Sequence, residues 1–224
     1  MSLAQSSRII VLHLTKYGEN SLVVHCIDSE NGRCSYLLRG AGKSGRASAG
    51  MLHNLAILDI VSLGNPKSSL AYLKEFEPCV QLNSLRSDLD KSSVALFISE
   101  LLYRTIVAQN QDERLFSWLC DAIVKLDAAQ GDIANFHLWF LAGFCTVMGF
   151  GPSAERDFEG SQLLGGKNLE LLAQLSAGFE SAMAIPLNGR RRREFCDRMI
   201  RYISFHLGMN LNIRSLDVLH ELYL

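Results

Sequence analysis

The hydrophobic period of this chain changes near residue 82, and that change dictates two differently built halves. Upstream the apolar residues alternate, as strands require; downstream they recur every three or four positions, as helices require. Arg8–Tyr17 is rich in Ile, Val and Leu, with Ile10, Leu12 and Leu14 expected on one face. Leu22–Asp28 alternates, with Leu22, Val24 and Cys26 on one side and Val23, His25 and Ile27 on the other. Asn31-Gly32 is a hairpin signal leading into Arg33–Arg39, where Cys34, Tyr36 and Leu38 share a face. Leu55–Leu63 reads as a fourth strand, ended by Gly64-Asn65-Pro66, and Ser69–Val80 as a fifth, stopped or bent near Pro78. Short strands at this spacing, with no helical period between most of them, predict a small closed barrel or sandwich over residues 1–82.

From residue 83 to 224 the pattern predicts a helical bundle. Val94, Phe97, Ile98, Leu101 and Thr105 mark one helix, and Leu115, Leu119, Ala122, Ile123 and Leu126 a second, opened by Asp112. Ile133, Phe136, Phe140, Leu141, Phe144, Val147 and Met148 mark a third, ended by Gly149 and Gly151-Pro152. Weaker patterns follow at Asn168–Phe179, Arg190–Leu207 and Ser215–Tyr223, and residues 151–167 read as irregular. The fold class is therefore α+β.

With 224 residues, 48% hydrophobic and 20% charged, the chain can bury a core and is not disordered. No apolar run reaches the length of a bilayer span. No basic segment followed by an apolar one opens the sequence, so no signal peptide is expected. Cys26, Cys34, Cys79, Cys120, Cys145 and Cys196 form no Cys-x-x-Cys pair. They fit neither a zinc ribbon nor a disulfide scaffold, and a reducing cytosol is the expected compartment.

The charge is not spread evenly. Residues 31–58 contain no Asp or Glu yet carry Arg33, Arg39, Lys43 and Arg46, in a chain whose formal net charge is −1. Gly40, Gly42 and Gly45 let the backbone there approach a ligand closely. Such a segment suits a nucleic-acid backbone; the bland reading is a solvated loop that binds nothing. A second cluster, Arg190, Arg191, Arg192 and Arg193, opens a predicted helix after Pro186-Leu187-Asn188-Gly189. Four arginines oppose the helix dipole there, which is better tolerated beside an acidic partner, although Glu194 and Asp197 give partial balance in a purely solvated first turn.

Catalytic and cofactor motifs are missing. No phosphate-binding loop, dinucleotide fingerprint or His-Glu-x-x-His occurs. Gly40-Ala41-Gly42 follows a strand, but no helix opens after Lys43-Ser44-Gly45-Arg46. His13, His25, His53, His137, His206 and His220 show no metal-like spacing, and His137 beside an apolar stripe reads as a core histidine. No nucleophile elbow or paired-carboxylate strand end appears. The chain reads as a binder without cofactor or metal.

The order of elements resembles the bacterial recombination mediator family RecO. The phrases that carry the resemblance are Tyr17-Gly18-Glu19-Asn20-Ser21-Leu22, the stretch Gly32 to Ser44, Glu100-Leu101-Leu102-Tyr103-Arg104 followed by Leu115-Phe116, Phe136-His137-Leu138 to Met148-Gly149-Phe150-Gly151-Pro152, and Arg214-Ser215-Leu216. The resemblance implies an N-terminal OB-fold that binds single- and double-stranded DNA, and a helical domain that holds the barrel and docks partners. It implies a cytoplasmic, nucleoid-associated protein that anneals complementary strands. With RecR it would help load the recombinase RecA onto DNA coated by single-stranded DNA-binding protein, whose acidic C-terminal tail it recognises. No cofactor and no catalytic residue are implied. Basic positions of the family's barrel fall on Arg39 and Lys43, with Arg33, Arg46 and Lys16 nearby.

Two departures stand out. Many relatives carry a four-cysteine zinc module after the Gly-Phe-x-Pro phrase, whereas no cysteine occurs from Gly149 to Pro186 here, so no zinc is expected. The basic residue that some relatives place near the start of the third long helix is missing around Ile133–Phe136. Arg190–Arg193 is the substitute candidate for the acidic-tail site, with Ile133 and Phe136 the fallback. The competing function is an OB-fold RNA-binding or translation-associated module, since such barrels serve both nucleic acids; a bundle this large after the barrel favours the DNA reading.

Overall fold

The computed structural model describes residues 4–40, 50–65, 70–107, 110–151 and 158–222. Lys43 and Arg46 lie outside them. Five strands, β1 (Ala4–Tyr17), β2 (Ser21–Asp28), β3 (Gly32–Arg39), β4 (Ile57–Leu63) and β5 (Ala71–Pro78), close a barrel in the order β1-β2-β3-β5-β4. All neighbours are antiparallel except β3 and β5, which run parallel with Leu37 opposite Tyr72. This closed five-stranded arrangement is the OB-fold, as the sequence led us to expect.

The β2–β3 hairpin is fixed by one buried carboxylate. Asp28 Oδ1 accepts the backbone N–H groups of Glu30 (2.8 Å) and Asn31 (3.0 Å) and the Asn31 side-chain amide (3.1 Å). Its Oδ2 accepts the hydroxyls of Ser7 (2.7 Å) and of Tyr36, which is fully buried. An aspartate bonding the backbone two and three residues on builds a turn. Gly32 then takes φ +68°, and a Cβ there would lie 2.3 Å from the Asn110 carbonyl oxygen.

The faces of β1 differ from the expected ones. Its register against β2 slips between Val11 and His13, as at a β-bulge, which flips the side chains beyond it. Ile9 and Val11 therefore join Val24, Cys26, Cys34 and Tyr36 inside the barrel, with Leu14 packed on the same cluster beyond the slip. Ile10 and Leu12 point outward and meet the helices.

The helical half comprises α1 (Ser84–Ser87), α2 (Leu89–Thr105), α3 (Glu113–Ala128), α4 (Phe136–Val147), α5 (Phe158–Leu164), α6 (Gly166–Ser176), α7 (Phe179–Met183), α8 (Gly189–Leu207) and α9 (Ser215–Leu222). Side-chain caps start the long ones: Asp88 accepts from Lys91 N–H, Asp112 from Leu115 N–H and Asn188 from Arg191 N–H. Gly208, at φ +61°, ends α8 in the left-handed conformation. Helix α5 falls inside the stretch read as irregular, and α4 starts at Phe136, leaving Ile133 before it.

Barrel and helices share one apolar core. Ile10, Leu12, Ile27, Leu55 and Ile57 from the barrel side pack in one cluster with Val94, Phe97, Ile98 and Leu101 of α2. The Ser99 hydroxyl of α2 donates to the Leu12 carbonyl. Because the outer face of β1 is buried against α2, the barrel's free surfaces are fixed relative to the helical domain. His137 lies in this core, edge-on to Phe97 at 6.2 Å. Burial pushes its pKa down to about 3.

Candidate nucleic-acid interface

Register across β1, β2 and β3 stacks outward-facing residues in rows. Tyr17 stands opposite Ser21 and Ser21 opposite Arg39; Thr15 opposite Val23 and Val23 opposite Leu37; His13 opposite His25 and His25 opposite Ser35. The first row forms the barrel tip. There the Arg39 guanidinium lies 4.5 Å from the centre of the Tyr72 ring and donates to its hydroxyl at 2.9 Å. A cation over an aromatic face is held by the ring quadrupole. Its free N–H groups stay available, since Arg39 is exposed. Tyr17 is 60% exposed and Tyr72 38%, and Lys16 is exposed beside Tyr17. Two open aromatic rings and two cations at one tip are the components of a stacking, phosphate-binding surface.

The candidate cations do not all gather there. Arg33 occupies the other end of β3, its guanidinium 4.5 Å from the Tyr103 ring of α2, donating to the carbonyls of Cys34 (3.1 Å) and Cys26 (3.4 Å). Between tip and base lie His13 and His25, stacked at 5.9 Å, both edge-on to Tyr103. His25 bonds Thr15 (3.0 Å) and Ser35 (2.8 Å) through its two ring nitrogens. Burial first, then the charge of Arg33 and His13, lowers its pKa to about 4, so it is neutral at pH 7. Nothing in the sequence spacing of His13 and His25 announces their pairing, which strand register alone creates.

The opposite wall carries the other sign. A cleft of about 650 Å³ between β1, β4 and β5 is lined by Glu30, Asp59, Glu75 and Glu77, with Arg8 tied to Asp59 at 2.8 Å. Four carboxylates against one arginine make that wall unfavourable for a polyanion.

In the helical half, the residues proposed for an acidic tail separate. Ile133 is 4% exposed and Phe136 fully buried, so neither offers a surface. Arg190 is open, 3.9 Å from Glu194. Arg191 donates to the Lys167 carbonyl, Arg192 to the Leu187 carbonyl, and Arg193 to His220 Nδ1 at 3.0 Å. The four thus diverge around α8. A concavity of about 450 Å³ elsewhere combines cation and apolar wall: Arg114, Trp118, Trp139, Gly143, Thr146, Val147 and Leu175 line it. A Cβ at Gly143 would lie 2.5 Å from Trp118, so glycine is what lets that indole rest against α4. Among the described residues no group of three His, Cys, Asp or Glu is close enough to share a metal ion, and no helix is long and apolar enough to cross a membrane.

A closed five-stranded barrel fused through its β1 face to a helical bundle defines an OB-fold protein with a C-terminal helical domain. Residues 1–81 match the family model described as Recombination protein O N terminal, and residues 86–164 that described as Recombination protein O C terminal. The chain is 30% identical to the DNA repair protein RecO of Flavobacterium johnsoniae, over 97% of this chain and 98% of that protein. The DNA repair protein RecO of Christiangramia forsetii is 29% identical over the same shares, and that of Porphyromonas gingivalis W83 27%. The chain belongs to the RecO family.

Proposed function

We propose that this chain is a non-enzymatic recombination mediator in DNA repair. It binds single- and double-stranded DNA at the barrel tip and anneals complementary strands. With RecR it helps load RecA onto DNA covered by single-stranded DNA-binding protein. The observation that carries the reading is the tip, where Arg39 on Tyr72 stands beside Tyr17 and Lys16, with the acidic wall on the far side of the barrel. Lys43 and Arg46 continue the same acid-free segment in sequence. Annealing needs no catalytic group, only a surface that neutralises two phosphate backbones while leaving bases free to pair.

The acidic tail of single-stranded DNA-binding protein takes the Trp118–Trp139 concavity, its carboxylates on the Arg114 N–H groups not given to the Val147 carbonyl and a terminal apolar side chain against the indoles. That concavity supports the reading better than Arg190–Arg193, because it supplies charge and apolar area together. Burying one large apolar side chain contributes about 1.5–3 kcal/mol, more than an exposed ion pair at ~1 kcal/mol or less. The test is an annealing assay with complementary DNA oligonucleotides, bare and coated with single-stranded DNA-binding protein. Faster annealing of both supports the reading. Binding to RNA with no annealing of DNA would favour a translation-associated module.

A further inference from the structure

The cleft where the barrel meets α2 and α9 is used by nothing above. About 500 Å³ in volume, it is lined by His13 of β1, by Leu96, Glu100, Tyr103 and Arg104 of α2, and by Arg214 and Val218 at α9. Two of the phrases that carried the family resemblance, Glu100–Arg104 and Arg214–Leu216, are brought together here. Glu100 is their clasp: it accepts from Ser215 N–H (2.8 Å), the Ser215 hydroxyl (2.7 Å), Arg214 N–H (3.2 Å) and Arg104 Nε (2.8 Å). Its oxygens are therefore satisfied inside the fold, and its charge is matched by Arg104 at 2.7 Å. The Arg214 side chain is exposed and makes no hydrogen bond or ion pair among the described residues. Leu96 is 41% exposed and Val218 49%, an apolar floor left open at a cationic edge.

This cleft is continuous with the candidate interface. His13 and Tyr103 line it and also belong to the His13–His25–Tyr103 cluster on the outer face of β1 and β2. Arg33 caps the Tyr103 ring from β3. From Arg39 at the tip to Arg33 at the base is six steps along β3, roughly 20 Å at ~3.3 Å per residue. Cations and aromatic rings stand at both ends, with no free carboxylate among the residues named between them.

We propose that single-stranded DNA runs from the barrel tip down the outer face of β1, β2 and β3 and ends in this cleft, with a base against Tyr103 and the apolar floor and a phosphate on Arg214. The proposal rests on the function given above and enlarges the binding surface from the barrel onto the helical domain. Charge decides the occupant: Glu100 and Arg104 balance each other in an ion pair at 2.7 Å, which leaves the exposed Arg214 guanidinium as the unmatched charge among the lining residues, and it suits a phosphodiester.

The experiment compares fluorescent oligothymidines of about 6 and about 20 nucleotides, chosen because an OB fold alone covers roughly 4–16. Arg214→Glu and Tyr103→Ala should each weaken the long oligonucleotide about tenfold and leave the short one unchanged; Tyr103→Phe, which keeps the ring, should bind like the parent. Arg214→Glu breaks no side-chain hydrogen bond or ion pair among the described residues, so the variant should fold like the parent. Arg39→Glu should weaken both lengths. If Arg39→Glu weakens both while Arg214→Glu and Tyr103→Ala leave the long oligonucleotide unaffected, the proposal fails and the barrel site stands. If an acidic, apolar peptide binds the parent and is lost on Arg214→Glu while that variant binds DNA like the parent, the cleft is a protein-docking site and the proposal is overturned. If the parent binds neither oligonucleotide, the proposal falls together with the function it rests on.

Discussion

Replacing Asp28 by Ala should destabilise the protein severely although its buried side chain makes no proposed contact with DNA. The carboxylate is 1% exposed and takes five donors from three places in the chain: β1, the turn and β3. Its removal strands the Tyr36 hydroxyl inside the barrel, and a buried group left unsatisfied costs about 1–3 kcal/mol. The two turn N–H groups are near water and lose about 0.5–1 kcal/mol each. The sum is roughly 2–5 kcal/mol. In urea, with a slope of about 2–3 kcal/mol/M for a chain of this size, the unfolding midpoint should drop by about 1–2 M. Asp28→Asn keeps one acceptor oxygen and should lose about half as much. Tyr36→Phe supplies the discriminating background: without the hydroxyl there is nothing to strand, so Asp28→Ala in that background should cost ~1 kcal/mol or more less than in the parent. Equal losses in both backgrounds, measured by urea titration of circular dichroism, would refute the assignment of the cost to the buried phenol.

His137 makes stability fall with acid. Its pKa, held at about 3 by burial against 6.5 unfolded, means that the unfolded chain binds the extra proton below pH 6.5. Stability should therefore be lost as pH drops from 6.5 toward 3, by up to about 1.4 kcal/mol per pH unit from this residue, and His137→Leu should flatten that limb in thermal melts. The purified protein should carry no stoichiometric zinc, because its cysteines and histidines form no close-spaced ligand pairs; elemental analysis finding one zinc per chain after dialysis against chelator would contradict this. Gly143→Ala should displace Trp118 and weaken a labelled acidic-tail peptide in fluorescence anisotropy, with Arg114→Glu weakening it as well; unchanged binding by both variants would move the tail site elsewhere.

The division of the chain was legible because period 2 and period 3.6 leave different marks on apolar spacing, and the cap Asp112 opens a helix whose stripe is plain. The faces of β1 were not, because a one-residue slip between Val11 and His13 leaves no trace in composition yet sends Leu14 inward. Helix α5 was missed for its brevity among glycines. Arg39 was legible as a cation on an acid-free segment, but Tyr72, the ring that holds it, comes from a strand 33 residues away. Arg33 has the same sequence signature and a different role, because only the fold sets Tyr103 beneath it. The arginine run at α8 was legible as charge and misleading as a cluster, since a helix sends consecutive side chains about 100° apart and three of the four find partners on different elements.

The most direct test is a salt titration of single-stranded DNA binding by the parent and by Arg39→Glu/Lys43→Glu. Each lysine or arginine on a phosphate releases counterions, giving a slope of log affinity against log salt of roughly −0.7 per contact on single strands. The parent should bind with a steep slope. The double variant should bind at least about tenfold more weakly, with a slope shallower by about 1.4, two contacts' worth. A variant that binds like the parent at every salt concentration would mean that the barrel tip does not hold the DNA.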